Sequence, residues 1–353
     1  MSLVEALLDQ SRPVFLFGST PPREGTTLEK AKESCGKFAS RSSVLAIDGF
    51  IVYDIQDEGG RTNIERPFPF RKTMDAAQYA SFFPAVSGKQ CVVYKCVVED
   101  SIEGFDAWLK SSIDQYGHSA FNLVGAASSS VKYQGPTLQQ AGQRSRLYNN
   151  CKFGCVSIPE RHTKKGNEDE NMIKKSEFGA EWFITQGIFS SGPLVAMINS
   201  YGSKCKARSL VPKKVILTFA PCGRAKTMVF IKWLGMHVPE DVEQRILSSN
   251  TPVHESIEVL TEILREILSQ TGGSGVPIGI NVESLSIFKE EIDGAHELFQ
   301  KLQVPSQLLQ ADCSQYLKFG CYLGDTTECP WLSLVSAVVL CRQASSQEGV
   351  DGR

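Results

Sequence analysis

At 353 residues the chain has room for one large fold or two ordinary domains. Its 42% apolar and 22% charged content is an ordinary globular mix, which excludes collagen-like, disordered and disulfide-dense classes. With 37 basic and 39 acidic side chains the net charge is −2, too little positive field for an electrostatic nucleic-acid binder.

Residues 1–13 carry Glu5 and no basic stretch, so they do not read as a secretory leader. The first strand is expected at Val14–Gly18, stopped by Pro21-Pro22, with a helix over Glu24–Ala39. Gly49–Ile55 and Cys91–Val98 are β-branched and aromatic and read as strands two and three. Ser101–Gln115 places Ile102, Phe105, Trp108, Leu109 and Ile113 on one helical stripe. Phe121–Gly125 and Phe153–Ile158 are the next strands, followed by a helix at Asn167–Phe178 and a strand at Glu181–Thr185. Helix Leu194–Lys206, strand Val215–Phe219 and short helices at Ala225–Leu234 and Pro239–Ser248 come next. Ser256–Leu268 has one apolar helical face, Pro277–Val282 is the last strand and Phe288–Leu302 the last helix. Glu58–Lys72, Ala126–Arg146 and Gly272–Gly275 read as loops.

Eight strands separated by helices, several of them continuously apolar, suit a parallel sheet buried on both faces. The fold class is therefore α/β, a closed (β/α)8 TIM barrel over residues 1–303. A C-terminal extension, 304–353, is expected to pack in its first part and fray at its tail. An open doubly wound sheet is the alternative, disfavoured because no G-x-G-x-x-G follows the first strand. The longest apolar stretch near the end, Pro330–Cys341, is too short to span a bilayer. The odd count of 11 cysteines without a CxxC pair suits reduced, buried thiols in a cytoplasmic protein and offers no metal site.

In such a barrel the chemistry lies at the C-terminal ends of the strands. That rule selects Ser19–Glu24, Asp54, Gln56, Asp57, Gly59, Gly60 and Arg61. Further along it selects Lys95, Ala126, Ser128–Ser130, Glu160–His162, Gln186, Cys222 and Glu283. His162 directly follows an apolar strand; the bland alternative is a loop histidine paired with Glu160. Gln186 closes an apolar strand and can donate to and accept from a heterocycle, or simply cap the next loop. Lys174 and Lys175 can meet phosphates, or form a solvated helix face. Gly59-Gly60-Arg61 can approach a phosphate through backbone N–H groups, although glycine in a βα loop more often serves conformation.

From about Val14 to Leu302 the chain resembles the catalytic barrel of methylenetetrahydrofolate reductase. Four stretches, in a common order, carry the likeness. They are Pro21-Pro22-Arg23, Pro159-Glu160-Arg161-His162, Lys174 to Phe189, and Trp233-Leu234-Gly235 through Val238-Pro239-Glu240 and Arg245. Within the third, Phe178-Gly179-Ala180-Glu181 and Phe183-Ile184-Thr185-Gln186 follow the family pattern. The resemblance implies an FAD-dependent oxidoreductase of one-carbon metabolism and methionine biosynthesis. It would reduce the methylene bridge of a tetrahydrofolate with hydride from NAD(P)H. His162, Asn171, Lys174 and Lys175, with the Gly59-Gly60 turn, would hold FAD, and Gln186 the folate pterin. The implied partner is a small-molecule folate, with no nucleic acid or membrane, and a homo-oligomer is left open.

Two positions depart from the family. Its general acid, three residues before the Pro-Pro pair, falls on Gly18, and its strand-four Asp falls on Ala126. Glu24 and Glu283 are the candidate substitutes. A non-catalytic folate- or nucleotide-binding relative, or a folate-linked methyltransferase, is the alternative function.

Overall fold

The structure, a computed structural model, describes residues 1–57, 64–126 and 133–303. Gly59, Gly60, Arg61, Ser128–Ser130 and the extension from 304 lie outside the described residues. In chain order the elements begin α1 (Leu3–Leu8), β1 (Phe15–Ser19), α2 (Leu28–Ser42), β2 (Gly49–Val52), α3 (Ala76–Ala80) and α4 (Phe83–Ser87). Then come β3 (Cys91–Cys96), α5 (Ile102–Asp114), β4 (Ala120–Val124), α6 (Leu138–Ser145), β5 (Lys152–Ser157), α7 (Pro159–Lys165) and α8 (Glu168–Glu177). The last are β6 (Ala180–Gly187), α9 (Ser191–Ala207), β7 (Lys214–Phe219), α10 (Ala225–Trp233), α11 (Glu240–Leu247), α12 (Pro252–Thr271), β8 (Ile278–Val282) and α13 (289–303).

All eight strands pair in parallel and in sequence order, and β8 closes on β1, giving the expected (β/α)8 barrel. Strand side chains alternate between two cores. Outward residues such as Phe17, Phe50, Val93, Phe121, Phe183 and Leu217 pack under the helices. Inward residues, among them Leu16, Ile51, Val92, Trp182, Ile184 and Ile216, fill the interior. The interior leaves no room for a larger residue at Gly154, where a Cβ would lie 2.1 Å from the Trp182 Nε1. Glycine on β5 is thus what lets the indole from β6 lie across the barrel.

The N-terminal end of the barrel is covered by α1. A capping box joins Ser2 and Glu5, which satisfies the first-turn donors of a helix this short. Leu3 and Leu7 are buried with Val14 and the inward strand residues. Lys214, fully buried at the start of β7, donates to the carbonyls of Ala6 (2.9 Å) and Arg12 (3.0 Å). Burial lowers its pKa to about 8, and the two carbonyls are what an enclosed ammonium requires.

Besides the short helices α3 and α4, three helices occupy segments where sequence reading placed none. One is α1. Another is α6, inside a stretch taken as loop, with Thr137 and Gln140 forming a capping box. The third is α7, which Pro159 opens at its first turn and Gly166 ends in the left-handed conformation at φ +65°. His162 is therefore a helical residue. No described helix is long and apolar enough to cross a membrane.

Candidate functional site

The C-terminal mouth of the barrel is built from the last inward residues of the strands. Asn281 on β8 donates from Nδ2 to the Tyr53 hydroxyl (2.9 Å) and to Thr218 Oγ1 on β7 (3.3 Å). Tyr53, just beyond β2, packs edge-on against Tyr94 of β3, with ring centroids 4.9 Å apart. The Tyr53 hydroxyl in turn faces the carboxyl of Glu283, just beyond β8, and favours its ionised form. Asn281 Oδ1 is buried without a partner among the described residues.

Gly18 explains how these groups fit. A Cβ there would lie 2.8 Å from the Glu283 Cβ and 2.9 Å from Tyr53 Cε2. The end of β1 must be bare for Glu283 and Tyr53 to meet. Burial raises Glu283 to about 7, and the Tyr53 hydrogen bond opposes that rise. Tyr53 is itself pushed well above the ordinary phenol range, by burial first and then by the neighbouring carboxylate.

Gln186 reaches the same end of the barrel from β6. The β6–β7 register shifts between Ile184 and Gly187, so Gln186 sits on an irregularity that re-aims a side chain. Thr185 Oγ1 accepts from the Thr218 N–H (3.0 Å) and holds the bulged strand to β7. The half-buried Gln186 amide has no hydrogen-bond partner among the described residues.

The other candidates go elsewhere. Glu24 is exposed and pairs with Lys72 at 2.9 Å. Lys95 pairs with Asp100 and lies over the Trp108 ring of α5, on the outer face of the barrel. Asp54 accepts from the Cys96 N–H and from Gln56, and burial raises its pKa. Cys222 is a buried thiol pushed up to about 12, unsuited to nucleophilic work. No group of three or more His, Cys, Asp or Glu fit to hold a metal exists among the described residues.

The four residues implied as flavin contacts divide into three settings. Glu168, fully buried at the start of α8, gathers Asn171 Nδ2 (2.9 Å), Lys175 Nζ (3.4 Å), Arg161 Nη1 (3.3 Å) and the Ile158 N–H (3.2 Å). Lys175 also donates to the Val156 carbonyl at 2.7 Å. Asn171 and Lys175 thus tie α8 to the end of β5. Lys174 is exposed and, with Asn171, Lys175, Arg146 and Gln143, lines a hollow of about 590 Å3 between α6 and α8. His162 Nδ1 is buried, 3.8 Å from Asp169, with no hydrogen-bond partner among the described residues.

Sequence reading missed Tyr53, Tyr94 and Asn281 as mouth residues, because an aromatic or amide inside an apolar run reads as core. In the β2–α3 connection it weighed Gly59-Gly60-Arg61 but gave Arg66 no role. There Arg66 lies 4.9 Å from the Trp233 ring centroid, with Phe70 and Phe230 also around it, and the Ile64 carbonyl accepts from Trp233 Nε1. This connection reaches from β2 to α10, which follows β7. In the barrel β1 and β8 lie between those strands.

No protein-family model matches the chain, and no curated protein matches it. Among solved structures it is similar to an uncharacterised protein from Clostridium thermocellum described as binding two copies of 5-methyl-5,6,7,8-tetrahydrofolic acid. The TM-score is 0.73 at 28% identity, over 85% of this chain and 99% of that one. A 2,3-dimethylmalate lyase also matches, with TM-score 0.41 and 10% identity over 98% of this chain and 97% of that one, and carries no argument.

Proposed function

We propose that the chain binds a reduced folate in the C-terminal mouth of its barrel. The observation that carries this reading is the likeness to the folate-binding Clostridium thermocellum protein, which extends over nearly all of that protein. The mouth supplies suitable chemistry. A reduced pterin is a flat heterocycle edged with donors and acceptors, and a side-chain amide both donates and accepts. Gln186 offers such an amide at the strand end, and Asn281 Oδ1 is a second unsatisfied acceptor. Tyr53 and Tyr94 supply aromatic wall. Concave sites of this kind are mostly apolar, with a few placed polar groups.

The test is thermal unfolding of the purified chain with 5-methyltetrahydrofolate. Ligand at about 100 times its Kd stabilises the folded state by about 2.7 kcal/mol, so Tm should rise and track concentration. An unmoved Tm with 5-methyl- and 5,10-methylenetetrahydrofolate would end this reading.

A second reading is flavin-dependent reduction of methylenetetrahydrofolate by NAD(P)H, favoured by the cationic hollow between α6 and α8. Lys174 and Arg146 in that hollow fit a diphosphate, whereas Lys175 and Asn171, engaged with Glu168, fit its wall. FAD bound there would supply hydride-transfer chemistry. The absorption spectrum with added FAD separates the readings: a flavin band that copurifies or is retained through gel filtration supports the reductase, and its absence leaves folate binding alone.

A further inference from the structure

We infer that the acid of this site stands just beyond β8: Glu283, lodged in the room Gly18 leaves, donates its proton to a ring nitrogen of the bound heterocycle. The inference rests on the folate-binding reading above and adds a proton donor to it. Its basis is geometric. Glu283 and Tyr53 occupy the space that a side chain at position 18 would fill. Glu283 therefore takes, from just beyond β8, the place a residue on β1 would otherwise hold over the mouth.

The surroundings suit a neutral acid. Tyr53, arriving from β2, faces the carboxyl; Tyr94, from β3, is the other titratable group that feels it; Asn281, from β8, holds the Tyr53 hydroxyl. No cation among the described residues acts on Glu283. Half-buried and without a counter-charge, the carboxyl keeps its proton to about pH 7. In the transfer the O–H bond of Glu283 breaks and an N–H bond forms on the ligand, with no change in oxidation state. The carboxylate left behind accepts the Tyr53 O–H, which stays protonated because its own pKa is raised. Water at the mouth returns the proton.

The experiment compares wild type, Glu283→Gln and Tyr53→Phe between pH 5 and pH 8.5. It reads both the Kd for 5-methyltetrahydrofolate and Tm without ligand. The folded-state pKa of Glu283 lies above its unfolded value. Its stabilising contribution is therefore full near pH 4.5 and lost as pH rises through about 7. Relative to Glu283→Gln, wild-type Tm should fall by roughly 3–5 °C across that window. Wild-type affinity should weaken about tenfold from pH 6 to pH 8, while Glu283→Gln, which has no proton to give, binds more weakly than wild type at pH 6 and shows the same affinity at pH 8. Tyr53→Phe should move the midpoint to higher pH, because the hydrogen bond that stabilises the carboxylate is gone. A Glu283→Gln protein that keeps both wild-type pH profiles overturns the proposal, and an unmoved midpoint in Tyr53→Phe overturns the part given to Tyr53. If the Tm difference appears but no reduced folate binds at any pH, the folate reading fails and the titrating acid just beyond β8 stands.

Discussion

Gln186 was legible in the sequence because an amide ending an otherwise apolar strand is out of place in a core. Glu283 was legible by position alone, as the first polar residue beyond the last strand. Their neighbours were not: Tyr53, Tyr94 and Asn281 sit in runs whose alternation says only that they are inside. Glu168 was passed over for a related reason, since an acid in the first turn of a helix is ordinary dipole matching. Only the folded chain shows that it is fully buried and gathers Asn171, Lys175 and Arg161. At this scale the sharpest expectation concerns Gln186→Ala. On the folate-binding reading it would remove a neutral hydrogen bond to the pterin, worth about 0.5–1.5 kcal/mol, so folate affinity should drop roughly 2- to 13-fold with Tm unchanged. Isothermal titration beside a melting curve checks it, and a matching loss of Tm would return the residue to a structural role.

At the scale of elements the strands were read far better than the helices. A strand buried on both faces announces itself as an apolar run, and all eight runs became strands of one barrel. The missed helices α6 and α7 carry start and stop signals rather than strong stripes. For α6 the signal was Thr137-x-x-Gln140, hidden in a Ser/Gln-rich stretch; for α7 it was Pro159 with Gly166. Thr137 Oγ1 accepts the Gln140 N–H, and the Gln140 side chain answers on the Thr137 N–H. Thr137→Ala should therefore cost about 1 kcal/mol in urea unfolding, and Thr137→Ser nearly nothing. Because α6 walls the cationic hollow, a larger loss would mean that the whole α6–α8 face depends on that cap.

For the molecule as a whole, the barrel's closure was legible from the count and order of its units. Its covered N-terminal end was not, since a six-residue helix shows too short a pattern to be recognised. Leu7 is fully buried there beside the inward strand residues, and Leu7→Ala should destabilise the fold by about 2–5 kcal/mol. Denaturant unfolding measures this, and a loss below 1 kcal/mol would show the helix to be dispensable. The clamp between Lys214 and Ala6 joins residues 208 positions apart. During synthesis at 5–20 residues per second, α1 emerges roughly 10–40 s before the strand that anchors it. Throughout that interval Leu3 and Leu7 have no interior to enter, so this apolar turn stays open to solvent or to a chaperone until β7 has been made.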